Sequence, residues 1–150
     1  MKGFGLCVWW KLHAHHPLAR ISRELQQTTP TPPFEPHVSL RTRLSFVPRE
    51  FPHPSSTPLT IERTIRSSSV FLRSWDTDFY SLEVPVVPIW PLPRNAHISL
   101  AYRLDRPFTS EEIARAGTLL PHDLVVMPSD LTAQVYDCRS PDVGEWHSVG

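Results

Sequence analysis

The sequence predicts an α+β fold: a single domain over residues 1–150, two-lobed, with mostly antiparallel sheets and flanking helices around a central cleft. Three observations lead there. Most apolar segments are short and alternate with period two, the pattern of half-buried strands. Two segments instead carry apolar residues three and four positions apart, the pattern of amphipathic helices. A four-residue phrase also occurs twice, as His37-Val38-Ser39-Leu40 and His97-Ile98-Ser99-Leu100. The chain therefore has a rough internal repeat, with strand and helix leading into the first copy and strands leading into the second.

The elements follow in order. Residues 4–10 read as a first strand, apolar on both faces and central. They are preceded by Lys2, but they run into Trp9, Trp10 and Lys11 without a small-residue cleavage site, so a strand is expected rather than a signal peptide. His13, His15 and His16 follow; with no carboxylate or cysteine nearby to complete a metal site, they read as a loop entering a helix. Pro17 suits the first helical turn, and Leu18, Ile21 and Leu25 form its apolar stripe. That helix should end near Thr28, before Pro30, Pro32 and Pro33. Pro36 forces an extended approach to His37, and a strand is expected over 37–44. Residues 45–58 form a loop, 59–66 a strand, Ser67–Ser69 a turn, and 70–73 and 79–87 further strands. A strand over 96–103 carries the second phrase. Thr109 and Glu112 have capping-box spacing ahead of a helix with Ile113, Ala116 and Leu120 inward. Residues 123–127, 131–138 and 143–149 complete the strands. Seventeen prolines in 150 residues, eight of them from Pro30 to Pro58 and four from Pro85 to Pro93, confine regular structure to the segments between.

Composition narrows the function. Fifteen Lys and Arg balance fifteen Asp and Glu. Proteins that grip long nucleic acid by its backbone are usually basic, so a small ligand or a nucleic-acid end is favoured. Cys7 and Cys138 are the only cysteines, which suits a cytoplasmic or other reducing intracellular compartment and argues against a disulfide framework. No apolar run reaches the length of a membrane span.

The repeated phrase carries the chemistry. In a strand, His37 and Ser39 share one face while Val38 and Leu40 share the other, and the second copy divides in the same way. Each copy thus offers an apolar face to a core and a His/Ser face to something else. Imidazoles exchange protons near neutral pH, and hydroxyls bind oxygen anions. Two such strands meeting would offer an acid, a base and two hydroxyls, a set suited to a phosphate diester. His-x-Ser alone is weak, and His53-Pro54-Ser55 reads as an accidental match. With aliphatic residues at both flanking positions, roughly 0.05 matches are expected by chance against the two seen. Arg41 and Arg43 share the parity of His37 and either face an anionic ligand or are solvated.

With these residues in view, the chain resembles the two-histidine phosphoesterase superfamily, and within it the plant and fungal 2′,3′-cyclic nucleotide phosphodiesterases that act on ADP-ribose 1″,2″-cyclic phosphate. The segments that look alike are Gly5-Leu6-Cys7-Val8-Trp9, Phe34 to Leu40, Ala96 to Tyr102, and Val143-Gly144-Glu145-Trp146. The resemblance implies two lobes around a cleft and metal-independent, cofactor-free opening of a cyclic phosphate on a small nucleotide, as in tRNA splicing. It implies His37 and His97 as the acid/base pair, Ser39 and Ser99 as donors to the phosphate, and Tyr102 as an aromatic lining the nucleotide. By analogy His97 is the base and His37 the acid. A monomer is expected, with a small nucleotide as substrate and neither long nucleic acid nor membrane as partner. The motifs lie only 60 positions apart, so the second lobe is expected to be shortened. Two other functions compete: a 2′,3′-cyclic phosphodiesterase or 2′–5′ RNA ligase-like enzyme acting on RNA ends, helped by a basic patch at Arg41, Arg43, Arg63 and Arg66, and an inactive nucleotide-binding relative.

Overall fold

In the computed structural model, residues 2–28, 32–54 and 56–149 are described; Pro30 and Ser55, which bear on the first helix end and on the third His-x-Ser match, lie outside them. The strands are β1 (Leu6–Leu12), β2 (His37–Leu44), β3 (Arg66–Leu72), β4 (Thr77–Pro85), β5 (His97–Arg103), β6 (Leu131–Asp137) and β7 (His147–Val149), with helices α1 (Pro17–Thr28) and α2 (Ser110–Thr118). The strands form one antiparallel sheet in the order β3-β4-β5-β2-β1-β6-β7. The fold is thus α+β with a sheet-dominated core, and the two copies of the phrase are neighbours at its centre. The seam between them is narrow, a single bridge from Val38 to Ile98.

The sheet's apolar face holds the main core. Leu6, Val8, Trp10 and Leu12 of β1, Val38 and Leu40 of β2, and Ile98 and Leu100 of β5 pack there with Leu18, Ile21 and Leu25 of α1 and Ala116 of α2. Trp10 also donates its indole N–H to Pro52 O at 2.9 Å, tying the proline-rich loop to the core. Ser22 of α1 donates to Leu100 O at 2.7 Å, anchoring the helix to the central strand. Of the histidines before α1, His16 is used structurally: buried, it accepts the Leu18 N–H at Nδ1 (3.1 Å), satisfying one orphan donor of the first turn, and its Nε2 meets Val125 O at 3.0 Å.

The capping box of α2 forms as its spacing predicts: Glu112 N donates to Thr109 Oγ1 and Thr109 N to Glu112 Oε1. Thr109→Ala should lower stability by about 1 kcal/mol, read as a shift in the urea midpoint. Other expectations need correction. The strand expected over 59–66 does not form: Leu59 and Ile61 make isolated bridges to Val126 and Val86, and only Arg66 belongs to a strand, as the first residue of β3. Bridging at 123–127 is likewise confined to Val126. Ser67–Ser69 is not a turn but the middle of β3, paired along its length with β4. Residues 143–149 split into a 3-10 turn (Val143–Glu145) and β7. No helix among the described residues is long and apolar enough to cross a membrane.

Candidate active site

The second face of the sheet carries a cavity of about 580 Å³, lined by His37, Ser39, His97, Ser99 and Tyr102 together with residues of β1, β3 and β4. All five residues singled out in the sequence thus reach one space. The Val38–Ile98 bridge explains why. Carried one residue to either side, that antiparallel register sets His37 across from Ser99 and His97 across from Ser39.

The two halves are built alike. Trp9 pairs with Ser39, and Val8 with Arg41, so Leu40 is an extra residue in β2. Glu83 pairs with Ser99, and Leu82 with Ala101, so Leu100 is an extra residue in β5. Each phrase therefore ends in a β-bulge just beyond its serine, which bends the strand and flips the later side chains. That flip brings Tyr102 to the cavity, although strict alternation from His97 would send it to the core. Tyr102 is buried against Phe34, Phe79 and Trp146. Burial pushes its phenol above the ordinary range, partly offset by a hydrogen bond with Ser99. Beyond the first bulge, Arg41, Thr42 and Arg43 all border the cavity and are exposed. Arg43 adopts φ 60°, in the left-handed region that side chains rarely occupy, and its N–H donates to Phe4 O at 2.7 Å.

Each histidine is fixed in the same way. Nδ1 of His37 lies 2.7 Å from Glu35 O, and Nδ1 of His97 lies 2.7 Å from Asn95 O. A carbonyl can only accept, so in both rings Nδ1 carries the hydrogen and Nε2 is the nitrogen whose protonation can change. Glu35 is itself held, by Tyr136 Oη and by Lys11 Nζ.

The neighbours of the rings differ. The position of Trp9 beside Ser39 matches that of Glu83 beside Ser99. His37 stacks on Trp9, with ring centroids 3.3 Å apart and planes 9° from parallel, and is 4% exposed. Burial lowers its pKa to about 3, against a smaller raising effect of the Glu35 carbonyl and with a further lowering by the nearby His97. His97 instead places Nε2 3.1 Å from Glu83 Oε2, and its side chain is 30% exposed. Glu83 is buried, and Arg66, Ser68 and Ser81 also bond its carboxylate.

Sequence reasoning missed Glu83 altogether and took Trp9 as part of the apolar first strand. A carboxylate between apolar Leu82 and Val84 was the available signal for Glu83, because an acid in a buried strand needs partners. Of the four arginines considered as a basic patch, Arg41, Arg43 and Arg66 line the cavity and Arg63 does not. Glu83 is the only carboxylate among the described lining residues. Compared with protein-family models, with curated proteins and with solved structures, the chain matches none.

Proposed function

We propose that this chain is a metal-independent cyclic phosphodiesterase that hydrolyses a cyclic phosphate on a small nucleotide. The observation that carries the reading is the pair of imidazoles, anchored identically at Nδ1 and facing one cavity, one buried against an indole and the other in contact with a carboxylate. Two like groups in unlike surroundings are the usual arrangement for an acid and a base.

His37 is neutral and takes the proton of an attacking water at Nε2. The water oxygen bonds to phosphorus, the ring P–O bond breaks, and the Nε2–H of His97 passes to the departing ribose oxygen. Solvent then returns the two rings to their starting states. This assignment reverses the one implied by resemblance, because burial against Trp9 disfavours a charged His37, while Glu83 gives a hydrogen on His97 Nε2 an acceptor. A ring with so low a pKa is a weak base in the empty cavity. A phosphate anion beside it favours the protonated form, so its basicity rises when substrate binds. Ser39 and Ser99 donate to the non-bridging oxygens, where charge concentrates.

Hydrolysis of adenosine 2′,3′-cyclic phosphate and ADP-ribose 1″,2″-cyclic phosphate in EDTA tests the reading. Turnover by the wild type that vanishes in the His37→Ala/His97→Ala double variant supports it; a folded wild type inert toward both sinks it. The arginine rim favours a second reading, an RNA 2′,3′-cyclic end, in which Arg41, Arg43 and Arg66 hold the neighbouring backbone phosphates. Either way the rim should act mainly on binding. Arg41→Ala/Arg43→Ala should raise KM by about tenfold for a substrate with a further phosphate, and less for the mononucleotide, as two weakened charge contacts imply. Initial rates at two salt concentrations read this out, and equal effects on both substrates would contradict it. Binding of nucleotide without turnover would instead mark an inactive relative.

A further inference from the structure

Glu83 is an outlier in its own strand. Its neighbours Leu82 and Val84 are buried in the main core, and its carboxylate is 2% exposed. Burying an ion is costly unless its oxygens are fully bonded, and here both are. Oε1 accepts Arg66 Nε at 2.8 Å. Oε2 accepts Ser68 Oγ at 2.9 Å and Ser81 Oγ at 3.0 Å, and meets His97 Nε2 at 3.1 Å. Two strands are shaped around this group: Arg66 and Ser68 of β3 lie opposite Glu83 and Ser81 of β4. An imidazole and a guanidinium therefore share one carboxylate. One is the ring that faces the cavity; the other is a guanidinium whose side chain is 47% exposed at the cavity rim.

We propose that Glu83 is a positioning residue for His97 and that Arg66 is its counterweight: the carboxylate keeps a hydrogen on His97 Nε2, and the guanidinium, by sharing the carboxylate, keeps that hydrogen transferable. This rests on the proposed acid role of His97. The geometry points to it in two ways. Nδ1 of His97 already faces a carbonyl and Nε2 a carboxylate, so both nitrogens have acceptors and the doubly protonated ring satisfies them both. The orientation is also fixed from both ends, which holds the ring in one place at the cavity wall. The other basic side chains that line the same cavity are His37, across the seam on β2, and Arg41, Arg43 and Arg66. None carries negative charge, so none can replace Glu83 as the counter-ion of a charged ring.

The two substitutions have opposite signatures. Glu83→Gln keeps the size of the group and removes its charge. It should lower kcat about 10²-fold with KM changed less than about threefold, and move the alkaline limb of the rate profile down by about one pH unit. Arg66→Gln removes the guanidinium and leaves His97 and the two serine hydroxyls on the carboxylate. It should move the same limb up and lower kcat by only about tenfold, because the donor holds its hydrogen more tightly. Glu83→Asp should recover part of the activity. Damage to folding would move neither limb in this opposed manner, and Arg66, on an edge strand and half exposed, gives a variant expected to fold even if Glu83→Gln does not. A readout free of turnover is the 15N spectrum of the His97 ring near pH 7 without substrate. The wild type and Arg66→Gln should show hydrogen on both nitrogens, and Glu83→Gln on one. Identical ring spectra in all three would overturn the proposal. A wild type that turns over no cyclic phosphate but shows these spectra would reject the phosphodiesterase reading while leaving the Glu83–His97 pairing established.

Discussion

Alanine at either His37 or His97 is expected to lower kcat/KM for a cyclic nucleotide by about 10²–10⁴-fold, the range for loss of one positioned acid or base. The double variant should lose little more than either single one, because both proton transfers serve one displacement. The pH profile then separates the rings. Since kcat/KM reports the free protein, its acid limb should follow His37, whose pKa is lowered to about 3, so activity should persist well below the pH at which an ordinary histidine is protonated. The acid limb of kcat should lie higher, because bound phosphate favours the charged ring. Trp9→Ala opens that ring to water and should carry the limb of kcat/KM back toward the ordinary 6.5. An acid limb already at 6.5 in the wild type would remove His37 from the role of base.

The same ring should make the protein acid-labile. His37 binds its proton near pH 3 when folded and near 6.5 when free. Between those values the unfolded chain binds more protons, so stability falls as pH falls; the contribution is complete above 6.5 and gone below about 3. At roughly 1.4 kcal/mol per pH unit, the whole window is worth about 4–5 kcal/mol, a large fraction of the stability of a domain this size. The check is urea unfolding of the wild type and His37→Gln near pH 7 and pH 4.5. The wild type should lose roughly 2–3 kcal/mol more than the variant between the two. Parallel losses would mean that the folded ring protonates as easily as the free one.

Periodicity and capping located most of the scaffold. The stripe Leu18, Ile21, Leu25 lies in α1, the Thr109–Glu112 spacing caps α2, and both copies of the phrase are strands. The phrases could be paired by eye because aliphatic and polar faces separate cleanly within four residues. What alternation could not reveal was the extra residue after each serine. A bulge is a property of two strands together, and neither Leu40 nor Leu100 announces it. Tyr102 was reached through resemblance, and its parity argued against it. The serine run 67–69 misled for a related reason: serines favour turns in isolation, but here Ser68 bonds Ser81 and Glu83 across the strand pair. Local propensity gave way to a tertiary partner. The alternation at 59–66 had no such partner strand beyond its two bridges.

The matched bulges and matched histidine anchors leave Trp9 and Glu83 as the chief break in an otherwise two-fold arrangement. A cavity with equivalent halves would accept a five-membered cyclic phosphate in either orientation and release a mixture of two positional isomers. If one half takes a proton and the other gives one, as proposed, a single ribose oxygen becomes the leaving group. The regiochemical economy of the product, one isomer rather than two, would then trace to an indole and a carboxylate set to the side of the reacting phosphate.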